Sequence, residues 1–373
     1  MLQDPNIDVP PRVQAFVNAL DRFQIDENPA VAAQKLFYEK LEARETLQNH
    51  LTYILENNRK KSLIEDFKSH DIPALGWFTS NQTSCASRFL NVIPSFRGYT
   101  MSNEEFQIAL LRHLHIPLPI ITPGLRCDCG KRPQLDPWGH HLVTGCHKKR
   151  VPSEIHDCLR DKLNEFCHEA GLNTHVEERG TFGDALPEDG QRADLVIQNP
   201  GSLKYPDRGT KGLVDLSIAC PLAGVQLGEI VSQNTSQVIA SRKGRAAGKR
   251  FAEKNAKYDA LILAYNAANE NMVIDKFTKI MFVMETTGFI HEKGLEFLER
   301  LADRCQEIKK YHRDNTLSYF LNSLSVCYQS QMARAIIRRV AGISSHCYGP
   351  REDYLESSLM ETIIDEESGN LLA

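Results

Sequence analysis

Asp194 and Asp215 sit inside segments otherwise composed for burial, RADLVI and LVDLSI. β-Forming residues surround each of them. The two-residue side-chain period of a strand places Asp194 on a face with Val196 and Gln198, and Asp215 on a face with Leu213 and Ser217. Adjacent strands lie about 5 Å apart. Carboxylates at matching heights on two such strands can hold one divalent cation, and without it their like charges repel in an apolar setting. A hard cation held this way polarises a phosphodiester, lowers the pKa of an attacking water and offsets charge on the leaving oxygen. A nearby lysine stabilises the developing negative charge. The plainer alternative is that each aspartate ends its strand and faces water.

A second constellation lies in CDCGKRPQLDPWGHHLVTGCH. Cys127, Cys129 and Cys146 with one imidazole make a four-ligand tetrahedral zinc set, and so full a shell argues for a structural ion. His140, His141 and His147 all stand within reach in sequence. The intervening Gly, Pro and Asp allow the chain to wrap one ion, and zinc would order a stretch with little apolar content of its own. Unligated thiols are the alternative, and the rest of the ten cysteines read as free thiols in a reducing compartment. A third feature is basic. Arg242, Lys243, Arg245, Lys249, Arg250, Lys254 and Lys257 cluster in one helical segment, opposed only by Glu253. His147, Lys148, Lys149 and Arg150 add a second patch. Such residues displace counterions from a polyanion. A solvated helix face is the alternative, and no base-reading pattern is visible.

These groups need elements to position them. Residues 11–70 read as helical, with apolar residues three and four apart that imply helix–helix packing. Residues 69–94 read as a less regular connector. NEEFQIALLRHLHIPLP reads as a helix stopped by prolines, with Asn103 as N-cap. SEIHDCLRDKLNEFCHEAG is a patterned helix whose stripe is Ile155, Leu159, Leu163, Phe166 and Ala170, with Ser153 as N-cap and Gly171 as its stop. Strands are expected at NTHVEERG, RADLVI, LVDLSIACP, DALILAY and KIMFVMET, with the basic helix between the third and fourth. Asn199-Pro200-Gly201 and Asp207-Arg208-Gly209 supply reversal chemistry in the long connector before Asp215. Two helices follow, and then an acidic, mobile tail. The unit from 153 to 286 is an α/β fold with a mixed sheet.

RADLVI, then LVDLSIACP, then AEKNAKY resembles the restriction-enzyme-like endonuclease of early-branching non-LTR retrotransposons, part of the PD-(D/E)XK superfamily. The family pattern runs Arg or Lys, Pro, Asp, a spacer, then a second acid. Arg192, Ala193 and Asp194 match it with alanine in place of proline, and Asp215 stands for the second acid. The spacer is longer than the family's, so the hairpin must be extended. The superfamily lysine two residues after the second acid is Ser217 here. In the retrotransposon group a lysine of the following helix serves, which implies Lys254 or Lys257. EIHDCL stands where the family often has a basic residue and a histidine. His156 and Asp157 lie off the apolar stripe, facing either the metal site or solvent, and Glu177 is an optional third carboxylate. The group also carries a zinc motif just upstream, whose step to the last cysteine favours His141. The resemblance covers roughly residues 75 to 340.

The expected organisation is therefore a helical region at 1–120, a zinc-binding motif at 121–150, a restriction-like endonuclease domain at 151–345 with C-terminal helices, and an acidic tail at 346–373. The resemblance implies Mg²⁺ or Mn²⁺ at Asp194 and Asp215, structural Zn²⁺ at Cys127, Cys129, His141 and Cys146, and catalytic roles for Lys254, Lys257 and His156. It implies DNA contacts from Arg192, Arg242, Lys243, Arg245, Lys249 and Arg250. The expected activity is nicking of a DNA target strand, with RNA or a reverse transcriptase in trans as further partners. A catalytically inactive nucleic-acid-binding relic is the alternative. No aromatic-x-Asp-Asp turn is present, so the chain reads as part of a larger element protein, a truncated copy or a derived gene. At 42% hydrophobic and 25% charged residues the composition is that of a soluble globular protein, nuclear or cytoplasmic, without a membrane span or signal peptide. The net charge of -4 leaves any polyanion contact to local patches.

Overall fold

The computed structural model describes residues 47–95, 97–130, 133–146, 151–178, 193–206, 209–222, 242–268 and 276–348. Arg192, His147 to Arg150, the predicted helices before residue 47 and the acidic tail beyond 348 lie outside them. The chain divides into two compact units, Met1–Leu75 and Gly76–Ala373. In the first, α1 (Leu47–His70) is polar along its length, held by pairs such as Lys68 Nζ to Glu65 at 2.7 Å. None of its described side chains is buried, and Tyr53 and Leu63 are exposed. Leu55, Ile64 and Phe67 are half-buried, and most of the stretch expected to pack lies outside the described residues. Among those residues no helix is long and apolar enough to cross a membrane.

The predicted connector is more regular than its sequence suggests, with helices α2 (Ile72–Asn81) and α3 (Arg88–Asn91). Helix α4 (Asn103–His113) is capped one residue before the predicted Asn103, by Ser102. Ser102 accepts from the Glu105 backbone while the Glu105 side chain returns to Ser102, a reciprocal capping box. Helix α5 (Val151–Glu169) likewise starts ahead of Ser153, which lies inside its first turn. It stops at Gly171, whose φ of +68° suits glycine. Its predicted stripe of Ile155, Leu159, Leu163, Phe166 and Ala170 is buried throughout.

A four-stranded sheet in the order β1-β2-β3-β4 follows. The strands are β1 (Thr174–Val176), β2 (Leu195–Gln198), β3 (Lys211–Ala219) and β4 (Phe277–Glu285). β1 to β3 run antiparallel, and β4 pairs parallel to β3. A parallel pair needs a crossover. Helix α6 (Arg245–Ala268) provides it. The predicted strand DALILAY is the second half of this helix. A short apolar run has no periodicity of its own to separate strand from helix, and no Gly or Pro interrupts the helix between Lys249 and Ala268. Helices α7 (Glu292–Lys309) and α8 (Arg313–Tyr348) complete the unit.

The sheet is covered on both faces. Leu195, Ile197, Val214 and Leu216 share the main core with α5, α7 and α8. Val196, Leu213 and Met281 face the opposite way, against Tyr258 and its neighbours on α6. Cys158 of α5 and Cys327 of α8 are joined as a disulfide, which departs from the free thiols expected of both. Truncating the stripe of α5 tests how far this core carries the fold. Leu159→Ala should lower unfolding stability by about 2–5 kcal/mol, measured by urea denaturation followed by circular dichroism.

Candidate active site and metal centre

The β2–β3 register brings the two aspartates together. Leu195 stands opposite Val214 and Val196 opposite Leu213. Asp194, the residue before β2, reaches β3 with its side chain beside Asp215. Asp194 lies just ahead of β2 rather than within it. Its Oδ2 accepts the Leu216 backbone N–H at 2.6 Å, satisfying a donor of β3 that β2 is too short to pair.

Asp215 is 4% exposed on the α6 side of β3. Its Oδ1 accepts from Lys254 Nζ at 3.1 Å and from Tyr258 O–H at 2.9 Å. Lys254 Nζ is also 2.9 Å from Oδ2, yet without hydrogen-bonding geometry, so Oδ2 receives no hydrogen bond. Burial, followed by the charge of Asp215, raises the Tyr258 pKa, so the phenol stays protonated and donates.

From the other face, His156 of α5 approaches the same point. Its Nε2 is 3.2 Å from Asp194 Oδ2 and 3.3 Å from the Leu216 carbonyl. Both neighbours are acceptors, so Nε2 carries the proton. Burial opposes the imidazolium, but Asp194, then Asp157, overcomes it and raises the His156 pKa above its usual 6.5. Asp157 Oδ1 is 3.5 Å from His156 Nδ1 and accepts from Arg160 at 3.0 Å. Arg160 also binds Glu177 at 2.6 Å. Glu177 adjoins Asp194, its backbone N–H donating to the Asp194 carbonyl at 3.0 Å, while its carboxylate is held by the Arg160 guanidinium.

The basic residues divide. Lys254 reaches Asp215, whereas Lys257 is exposed and makes no ion pair with either aspartate. Arg250 Nε donates to Ser217 Oγ at 3.1 Å, which sets a guanidinium over the strand position where the superfamily lysine was sought. Arg242, Lys243 and Lys249 are exposed and Arg245 half-buried, with no ion pair among the described residues. Glu285, buried at the end of β4, accepts the Ala247 N–H at 2.9 Å and fixes the start of α6. Tyr258 is the site residue that sequence reasoning missed. Its spacing four residues after Lys254, inside AEKNAKY, was the available signal.

The cysteine cluster also closes. Cys127, Cys129, His141 and Cys146 place their ligand atoms within 4.8 Å of one another. Cys127 Sγ lies 3.6 Å from Cys146 Sγ, and Cys129 Sγ 3.6 Å from His141 Nε2. Tetrahedral ligands with Zn–S of 2.3 Å and Zn–N near 2.1 Å would be separated by about 3.8 and about 3.6 Å. The donor set fits zinc. Asp136 accepts the backbone N–H groups of His140 and His141 at 2.8 and 2.9 Å, which starts the π-turn His141–Gly145 that delivers Cys146. His140, by contrast, is buried against Trp77 at 4.7 Å. Burial drives its pKa down to about 3, and it is a core residue rather than the fourth ligand.

No family model, curated protein or solved structure matches this chain.

Two expectations follow from this geometry. Purified protein should carry one equivalent of zinc by elemental analysis, reduced to a small fraction in Cys146→Ser. Stability should respond to pH through His156. Its raised folded pKa stabilises the native state below the unfolded value near 6.5. That contribution fades as pH rises through the folded pKa. Urea titrations should therefore show wild type exceeding His156→Gln most at pH 5.5–6, with the gap closing by about pH 8.5.

Proposed function

We propose that this chain is a divalent-metal-dependent DNA endonuclease of restriction-like type, related to the nuclease region of non-LTR retrotransposon proteins. The observation that carries this reading is that Asp194 Oδ2 is bound to the Leu216 N–H of β3, one residue along from Asp215, whose carboxylate pairs with the Lys254 ammonium. Both oxygens of the buried Asp215 lie against one cation, the Lys254 ammonium, at 3.1 and 2.9 Å. Asp194 and Asp215 would hold Mg²⁺ or Mn²⁺, which supplies charge neutralisation for the phosphate and an activated water. Lys254 would meet charge developing on the phosphate. Tyr258 holds Asp215 in one orientation by its hydrogen bond. His156 steadies Asp194 from the α5 side. The exposed cations Arg242, Lys243, Lys249 and Arg250 flank the site on one helix and its approach, where a phosphate backbone would lie. RNA or a reverse transcriptase in trans remains within the same reading.

A second reading has its own support. Lys254 already neutralises Asp215, and His156 already partners Asp194. Such internal pairing would equally suit a binding protein that has lost its chemistry. A plasmid-nicking assay separates the two. With Mg²⁺, wild type should nick, Asp194→Ala with Asp215→Ala should not, and Lys254→Ala should be slower by about 10²–10³. Equal products from wild type and the double variant would sink the nuclease reading. In binding titrations without metal, Lys249→Ala should retain sequence-independent affinity but lower the salt slope by about 1.

A further inference from the structure

The cysteine cluster faces a buried cation. Arg339 of α8 is 1% exposed. Its Nη2 lies 3.4 Å from Cys127 Sγ and 3.6 Å from Cys146 Sγ, and also donates to Asp128 Oδ1. One nitrogen therefore spans the edge between the two most buried thiols of the set. Its position is fixed by packing, since Ile336, Val340 and Ile343 of α8 share a core with Leu142 and Val143 of the ligand loop.

We infer that Arg339 is the outer-sphere cation of the zinc centre, donating N–H to the thiolates of Cys127 and Cys146 and linking metal retention to the seating of α8. The inference rests on the zinc reading of the cluster. Asp128 balances the charge of Arg339. Three thiolates, one neutral imidazole and Zn²⁺ leave one net negative charge. That charge would lie beside the guanidinium, so the attraction favours the loaded state and raises affinity. The donated hydrogen bond also draws electron density from the sulfurs. The single nitrogen Nη2 serves a carboxylate and two sulfurs, and the rigid planar guanidinium holds it there. Were Arg339 only the structural partner of Asp128, the metal would be indifferent to its removal.

The test uses the full chain, reduced and stripped of metal, with zinc titrated against a chromophoric chelator and Co²⁺ as a spectroscopic probe. Arg339→Met should weaken zinc binding by about 10–100-fold. It should also move the thiolate-to-cobalt charge-transfer band to longer wavelength, because undonated thiolates are easier to oxidise. Asp128→Asn, which keeps the guanidinium, should hold zinc at least as tightly as wild type. Should Arg339→Met fail to fold by circular dichroism, Arg339→Lys carries the test, with a smaller loss and a band shift in the same direction. Zinc affinity within twofold of wild type and an unmoved band in a folded Arg339 variant would overturn the inference. A wild-type chain that takes up no zinc, or as much as Cys146→Ser does, would remove the zinc reading itself, a separate outcome seen before any Arg339 variant is made.

Discussion

A carboxylate in the middle of a sheet face is the constraint around which the second unit is arranged. Asp215 stands on the central strand β3, between residues that belong to hydrophobic clusters. An ionised group so placed must be met by an opposite charge and hydrogen bonds, or the desolvation cost falls on the fold. α6 meets it twice, with Lys254 and Tyr258 one helical turn apart. The crossover between β3 and β4 therefore spans the sheet and also fixes the face and height at which the helix crosses. Glu285 sets where that helix begins, so its register on β3 is determined from both ends.

The cysteine loop obeys a different logic with a similar result. Cys127, Cys146, Leu142 and Val143 belong to the same core as Leu159 and Ile336. The ligand loop is thus one wall of the main hydrophobic core rather than a bead on a linker. A metal bound there would gain from the packing of α5 and α8, and those helices would gain from the metal, because ligand geometry and core packing constrain the same residues. The buried Arg339 makes the link electrostatic as well as steric.

Much of this was legible in the sequence, for identifiable reasons. The α5 stripe was read correctly because five buried positions repeat at helical spacing, and the mixed α/β class followed from the order of elements. The three cysteine ligands stand out by type and spacing, whereas only the family resemblance separates His141 from His140 and His147. The misreadings share a cause: local pattern without partner. DALILAY reads as a strand until α6 is seen to run unbroken from Arg245, and Leu263 is then exposed at 71%, as an all-round apolar run on a one-sided helix requires. Ser102, not Asn103, caps α4 because only the serine has a glutamate three residues on to complete the reciprocal box. Tyr258 belongs to the core. Its hydroxyl becomes informative only when Asp215 is placed beneath it. Lys254 and Lys257 were equivalent by sequence, and the helical angle between them separated the buried partner from the exposed one.

The absence of lysine at Ser217 is resolved by comparing two repeats. Alternate residues on a strand are about 6.7 Å apart, and residues four apart on a helix rise about 6 Å. A helix running antiparallel across a strand can therefore match it, four residues to every two. Arg250 lies on Ser217, Lys254 on Asp215, and Tyr258 belongs to the cluster that holds Leu213. Under that match, an amine needed beside Asp215 can come from the helix as readily as from the strand. A lysine at 217 would meet the guanidinium of Arg250, where like charges repel in a partly dry site. Serine is the compatible residue there, accepting from Arg250 and leaving the cationic role to α6. The helix–strand register is the reason that one missing side chain on β3 does not leave Asp215 unpartnered.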